Sequence, residues 1–177
     1  LFMGEEYGET APFQYFVSHL DEELVEAVRR GRREEFAAFA WVGEVPDPQA
    51  ESTFARSRLD QELRHEGWHR ELFAFYRRLI ALRKSHPVLR CPDKSRLEVA
   101  ADRKRRTLTM RRQQGGHQLF YAVNFEERPQ PVAIDLPGAW RVLISSPATE
   151  SADSEARNFE GQLELPPHSF HLYELVP

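Results

Sequence analysis

The chain has one cysteine, Cys91, and no second thiol to pair with it. An internal disulfide is therefore excluded, and a reducing cytoplasm is the expected compartment. Long apolar runs are missing as well. Nothing approaches the roughly 20 residues of a membrane-spanning helix, and the start lacks a basic-then-apolar signal pattern. A cationic excess is also absent, since 24 Lys and Arg against 28 Asp and Glu leave a net charge of -4. No long-range attraction then draws the chain to phosphate backbones or anionic lipid, so neither nucleic acid nor a membrane is an expected partner. Internal repeats and low-complexity tracts are not found. Set against these absences, 41% hydrophobic and 11% aromatic residues in a chain of 177 supply a core's worth of side chain and exclude a disordered polypeptide.

The opening stretch, Leu1-Phe2-Met3-Gly4-Glu5-Glu6-Tyr7-Gly8-Glu9, organises the reading. Three apolar residues breaking at glycine into carboxylates look like a buried parallel strand whose following loop faces a polar ligand. With no strand beside it, it reads as the end of something larger. Thr10 to His19, with Pro12, Phe13, Tyr15 and Phe16, reads as a packed loop. Asp21 is the expected N-cap of a helix with Glu22 and Glu23 in its first turn. Gly31 is expected to interrupt it, with a second piece through Phe36, Phe39 and Ala40 ending before Gly43 and Val45-Pro46-Asp47-Pro48. Ser52 is expected to cap a short helix. The strongest helical pattern spans about Glu66 to Ser85, with Trp68, Leu72, Phe75, Tyr76, Leu79 and Leu82 on one stripe, and Pro87 stops it. From Leu97 the period changes to two. Seven short strands follow, at Leu97–Ala101, Leu108–Met110, Leu119–Val123, Val132–Leu136, Trp140–Ile144, Gln162–Leu165 and Phe170–Leu175, with Gly115-Gly116 as a hairpin turn. They predict an antiparallel sandwich or small barrel.

Four groups of residues invite chemistry. His65-Glu66-Gly67-Trp68-His69 matches the H-E-x-x-H zinc pattern, in which two histidines four apart on a helix hold the metal and the glutamate polarises its water. Gly67, a helix end at the motif and the want of a third ligand nearby argue against it, so no metal site is expected. Arg29-Arg30-Gly31-Arg32-Arg33 beside Glu34-Glu35 reads as a solvated helix face with offsetting charges rather than a phosphate patch. Cys91 near His86 lacks an oxyanion hole and an orienting group and reads as a plain thiol. Glu5, Glu6 and Glu9 remain. Glycoside hydrolysis uses two carboxyl groups about 5 to 9 Å apart across a cleft, and neighbours on one strand point to opposite sides. This stretch can therefore line a site without being the whole of one.

Met3-Gly4-Glu5-Glu6-Tyr7-Gly8-Glu9, Pro12-Phe13, Tyr15-Phe16, Gly31-Arg32-Arg33-Glu34-Glu35-Phe36, Pro46-Asp47-Pro48-Gln49 and Thr53-Phe54 resemble the malto-oligosyltrehalose trehalohydrolase branch of the α-amylase superfamily, glycoside hydrolase family 13. Phe75 to Arg83 with His86-Pro87 is similar to the last barrel helix of many members, and Pro166-Pro167-His168-Ser169-Phe170 resembles the closing hairpin of their C-terminal domain. The resemblance implies an α+β chain: the last strand and helices of a (β/α)8 catalytic barrel over residues 1–90, then an antiparallel β-sandwich domain over 91–177. It implies a retaining glycosidase of trehalose biosynthesis that cuts the α-1,4 bond next to the terminal trehalose of maltooligosyl trehalose, without cofactor or metal. The family's aspartate nucleophile, glutamate acid/base and stabilising aspartate come from the fourth, fifth and seventh barrel strands. No catalytic residue is therefore assigned here, and the chain alone is expected to be silent. Glu5, Glu6, Tyr7 and Phe13 are the expected substrate-binding residues, with maltooligosyl trehalose or a related α-glucan as partner in the full-length enzyme. The rival expectation is a non-catalytic carbohydrate-binding or assembly module, and the isolated segment is expected to self-associate through its uncovered apolar surface.

Overall fold

Asp21 does what its side chain predicts: Oδ1 accepts from the backbone N–H groups of Glu23 and Leu24 and starts helix α1, Glu22–Ala38. The computed structural model describes residues 1–39, 43, 45–91, 93–146 and 156–176. It separates into two compact units, 1–77 and 78–177. In the first, α1 runs through Gly31 without a break, correcting the expected interruption. A mid-helix glycine costs only about 1 kcal/mol against alanine, which sixteen other residues of a capped helix can carry. Ala40, the expected last residue of the second helical piece, lies outside the described residues. Helix α2, Glu51–Arg56, is capped at Ala50, so Ser52 sits inside its first turn and gives no cap. Among the described residues no strand forms at Leu1 to Glu9, correcting the expected one; Gly4 and Gly8 are left-handed and bracket a 3-10 turn, Glu5–Tyr7.

Helix α3, Gly67–Ser85, follows the predicted span, but the expected buried stripe is only half-buried from Leu72 to Leu82 and exposed at Trp68. The division between units falls within it. In the second unit, Pro87 stops α3 and occupies the first turn of a short helix α4, Pro87–Arg90, whose cap is His86.

Six strands follow: β1 Leu97–Asp102, β2 Thr107–Gln114, β3 His117–Asn124, β4 Gln130–Ser146, β5 Arg157–Leu165 and β6 Ser169–Leu175. They form one antiparallel sheet in the order β1-β2-β3-β6-β4-β5. Gly115 and Gly116, both at positive φ, make the β2–β3 turn as predicted. Two of the seven expected strands are one. Val132–Leu136 and Trp140–Ile144 are joined into β4 across an irregularity between Leu136 and Ala139, where Pro137 and Gly138 sit. Such a bulge bends its strand while keeping it continuous. β4 then meets β5 along its first part and β6 from Trp140 onward. Residues of β1, β2, β3 and the first part of β4 line a common cavity of about 220 Å³, so strands remote in the sheet order face one another. Phe120, Val132, Ile134, Trp140, Val142, Leu165 and Tyr173 fill the space between as the core. Asn124, 1% exposed, donates to the carbonyls of Arg128, Leu165 and Pro166 and closes the end where Pro166 to Ser169 turn back into β6.

Candidate functional site

The opening turn owes its shape to two glycines. A Cβ on Gly4 would lie 2.6 Å from Glu9 Cβ, and one on Gly8 would lie 2.3 Å from the Trp68 ring. Both are at positive φ, so glycine is required twice over. The tightly wound chain brings Glu9 back under Gly4, whose carbonyl accepts from the Glu9 N–H at 2.9 Å.

The three carboxylates then separate into different roles. Glu5 is exposed; its Oε2 accepts from the Phe2 N–H at 2.9 Å and its Oε1 from the Tyr76 hydroxyl at 3.4 Å. Glu9 is turned inward. Its Oε1 accepts from the N–H groups of Thr10 and Ala11, each at 2.8 Å, while Oε2 accepts from the Asp60 N–H at 2.7 Å and the Tyr7 hydroxyl at 3.2 Å. Burial pushes the Glu9 carboxyl up, but the N–H groups of Ala11, Asp60 and Thr10 outweigh it and hold it below the ordinary carboxylate value. Tyr7 is 3% exposed. Burial first, then the hydrogen bond and charge of Glu9, raise its phenol above the ordinary value. The Tyr7 carbonyl accepts from His69 Nδ1 at 2.8 Å, tying the turn to α3.

A groove of about 410 Å³ opens above this turn. Phe2, Met3 and Glu5 form one side, Pro12, Phe13 and Phe16 another, and Ser57 and Leu59 a third, with Glu9 among the lining residues. The Phe2 and Phe13 rings meet edge to face with centroids 4.8 Å apart. Exposed aromatic faces beside a carboxylate suit a sugar, which offers C–H faces to rings and hydroxyls to acceptors.

Of the four expected substrate-binding residues, Glu5 and Phe13 thus line one groove. Tyr7 is packed beneath it, and Glu6 is half-buried and outside the lining. Sequence reasoning placed Glu9 with the other two carboxylates and did not separate its role, because only the returning turn and the distant Asp60 amide reveal it. The zinc pattern falls apart in space. His65 ends a 3-10 turn, Glu66 is extended, and His69 lies on α3, so the two histidines do not share a helix face. Among the described residues, the one grouping with metal-ligand proximity is His86, His117 and Glu174 in the second unit. There Glu174 already receives His86 Nε2 and Arg141 Nη2, each at 3.0 Å. The Val88 N–H donates to His86 Nδ1 at 3.2 Å, which leaves the His86 proton on Nε2, where a metal would need a lone pair. Two of the four arginines of the α1 run are paired: Arg29 grips Asp47 with Nε and Nη2 and also meets Glu26, and Arg32 pairs with Glu35. Cys91 is a free, half-buried thiol.

A family described as a domain of unknown function, DUF3459, matches residues 94–172, most of the β-domain. Proteins named malto-oligosyltrehalose trehalohydrolase match more broadly. The one from Rhizobium sp. (strain M-11) is 41% identical over 171 residues, 96% of this chain and 26% of that protein. The one from Mycobacterium tuberculosis (strain CDC 1551 / Oshkosh) is 41% identical over 156 residues, 86% of this chain and again 26% of the relative. The chain therefore spans about a quarter of the length of the curated relatives it matches. Among solved structures, a candidate alpha amylase of Salmonella typhimurium aligns with TM-score 0.75 and 31% identity, over 98% of this chain and 27% of that one. An alpha-amylase from H.orenii, at 20% identity and TM-score 0.51 over 76% of this chain and 26% of its own, shares the fold. With helices preceding an antiparallel β-domain and this likeness along nearly its whole length, the chain belongs to the malto-oligosyltrehalose trehalohydrolases of the α-amylase superfamily and corresponds to their C-terminal portion.

Proposed function

We propose that this chain is the C-terminal part of a retaining α-glycosidase that hydrolyses the α-1,4 bond next to the terminal trehalose of a maltooligosyl trehalose. The observation that carries the reading is the 41% identity to a protein of that name over 96% of the chain. The groove at the opening turn supports it chemically: Phe13 offers a ring face to a pyranose, and Glu5 an acceptor to its hydroxyls. In this reading Glu5 and Phe13 contact the glucan directly. Tyr7 acts from beneath as a support, and Glu6 makes no direct contact. The nucleophile and the acid/base belong to other strands of the barrel, so these 177 residues by themselves bind glucan without cutting it.

The test is titration with maltopentaose, followed by assay for released sugar. Saturable binding without hydrolysis, weakened by Phe13→Ala and by Glu5→Ala, is the expected result. Binding that ignores both substitutions would remove the groove from the reading. Self-association is the second behaviour expected of the chain, because Leu1, Phe2, Met3, Phe13 and Leu20 are all more than half exposed. Sedimentation velocity across a concentration series checks it.

A further inference from the structure

Three walls of the groove, one of them from a segment some fifty residues away, are tied to one residue, Glu9, two of them through its carboxylate. The wall of Phe2, Met3 and Glu5 is fixed through Gly4, whose carbonyl takes the Glu9 N–H at 2.9 Å and whose missing Cβ leaves room for the Glu9 stem. The wall of Pro12 and Phe13 begins at Thr10 and Ala11, whose amides both rest on Glu9 Oε1. The wall of Ser57 and Leu59 is held at Asp60, 51 residues away, whose amide rests on Glu9 Oε2. The backbone at Thr10–Ala11, which leads to Phe13, and the amide of Asp60, next to Leu59, are thereby held to one carboxylate. Tyr7, buried beneath, donates to the same Oε2 and limits the rotation of the carboxylate.

We infer that Glu9 is the positioning residue of the groove: it contacts no sugar, and its carboxylate holds the 57–60 wall in place beside Phe13 and Glu5, which do. This rests on the proposed glucan reading for its consequence, but not for its geometry. Both oxygens of Glu9 accept backbone N–H groups, a demand that a carboxylate meets and an amide does not. Glu9→Gln keeps shape and volume, retains an oxygen for Thr10 and Ala11, and turns an NH2 toward the Asp60 N–H. It therefore releases the 57–60 wall while leaving the turn itself intact.

The experiment compares the wild-type chain, Glu9→Gln and Glu9→Asp by NMR and by maltopentaose titration, with a thermal melt of each. Expected in Glu9→Gln are shifted resonances at Leu59 and Asp60, while the ring NOEs between Phe2 and Phe13 are kept. Its maltopentaose affinity should fall about fivefold, the cost of ordering a wall that has lost its tie to Glu9, with the chain still folded at the titration temperature. Glu9→Asp keeps the charge but is one methylene too short to reach both walls, so it should not rescue the affinity. Unchanged Leu59 and Asp60 resonances in Glu9→Gln would overturn the positioning role whatever the sugar does. An affinity that falls only in step with lost folded protein would overturn it too. If the wall signals move as expected while the wild-type chain binds no maltopentaose, the positioning role stands and the glucan reading falls.

Discussion

Gly8 carries more structural information than any carboxylate beside it. At φ +68° and with a Cβ position 2.3 Å from the Trp68 ring, it accepts no side chain without moving α3 or unwinding the turn. Gly8→Ala should lower stability by about 2 kcal/mol or more, read as the midpoint shift in urea denaturation followed by Trp fluorescence. The sequence reads there as a buried strand running into an acidic loop, and the structure instead winds Glu5–Tyr7 into a 3-10 turn between two glycines. The sequence did not show which acid faces inward. Glu5, Glu6 and Glu9 are identical in chemistry, and their roles part only because Gly4 and Gly8 wind the chain until Glu9 meets an amide 51 residues on.

Helices and strands were legible to the extent that their signals are local. The Asp21 cap, the span of α3, the Pro87 stop and the Gly115-Gly116 turn are each written within a few residues, and each stands in the structure. Gly31 and Pro137-Gly138 misled for one reason: a residue that disfavours an element does not end it when neighbouring contacts hold it. α1 has a strong cap and continues. β4 is paired on both sides of its irregularity and continues as well. Two substitutions on α1 separate these effects. Asp21→Ala should cost about 1 kcal/mol by losing two accepted N–H bonds. Gly31→Ala, with nothing within 4 Å of the new methyl, should gain about 0.5 to 1 kcal/mol. Equilibrium urea denaturation followed by far-UV circular dichroism measures both, and a loss at Gly31→Ala would contradict the helical propensity argument.

Across the whole molecule the two units differ in how they are held. Among the described residues, the fully buried hydrophobic side chains lie in residues 78–177 apart from Tyr7, while the exposed large aromatics lie mostly in residues 1–77. Hydrogen exchange should therefore be slowest in β3, β6 and the second part of β4, and limited proteolysis should cut within residues 1–77 first. The sheet unit has its own acid limit. Burial raises the Glu174 carboxyl, but His86 and Arg141 outweigh it and hold it below the ordinary 4.5. A carboxyl depressed on folding binds its proton more readily in the unfolded chain. Its contribution is then complete above about pH 4.5 and is lost as pH falls through the lower, folded value. Wild-type protein should lose stability on acidification below pH 4.5 more steeply than Glu174→Gln, measured by thermal melts between pH 3 and 6. Equal slopes would deny Glu174 this role.

The amino-acid order by itself determined the succession of helices and alternating strands, the absence of a disulfide within these residues and of a helix long and apolar enough to span a membrane, and the acidic, aromatic opening that resembles one family. These are properties of spacing and composition along a line. Only the tertiary structure decided that one strand spans two expected ones, that Glu5 and Phe13 share a groove, and that Glu9 lies beneath it joining three segments. A hydrogen bond between residues 9 and 60 leaves no mark in local periodicity, because it depends on the path of everything between them.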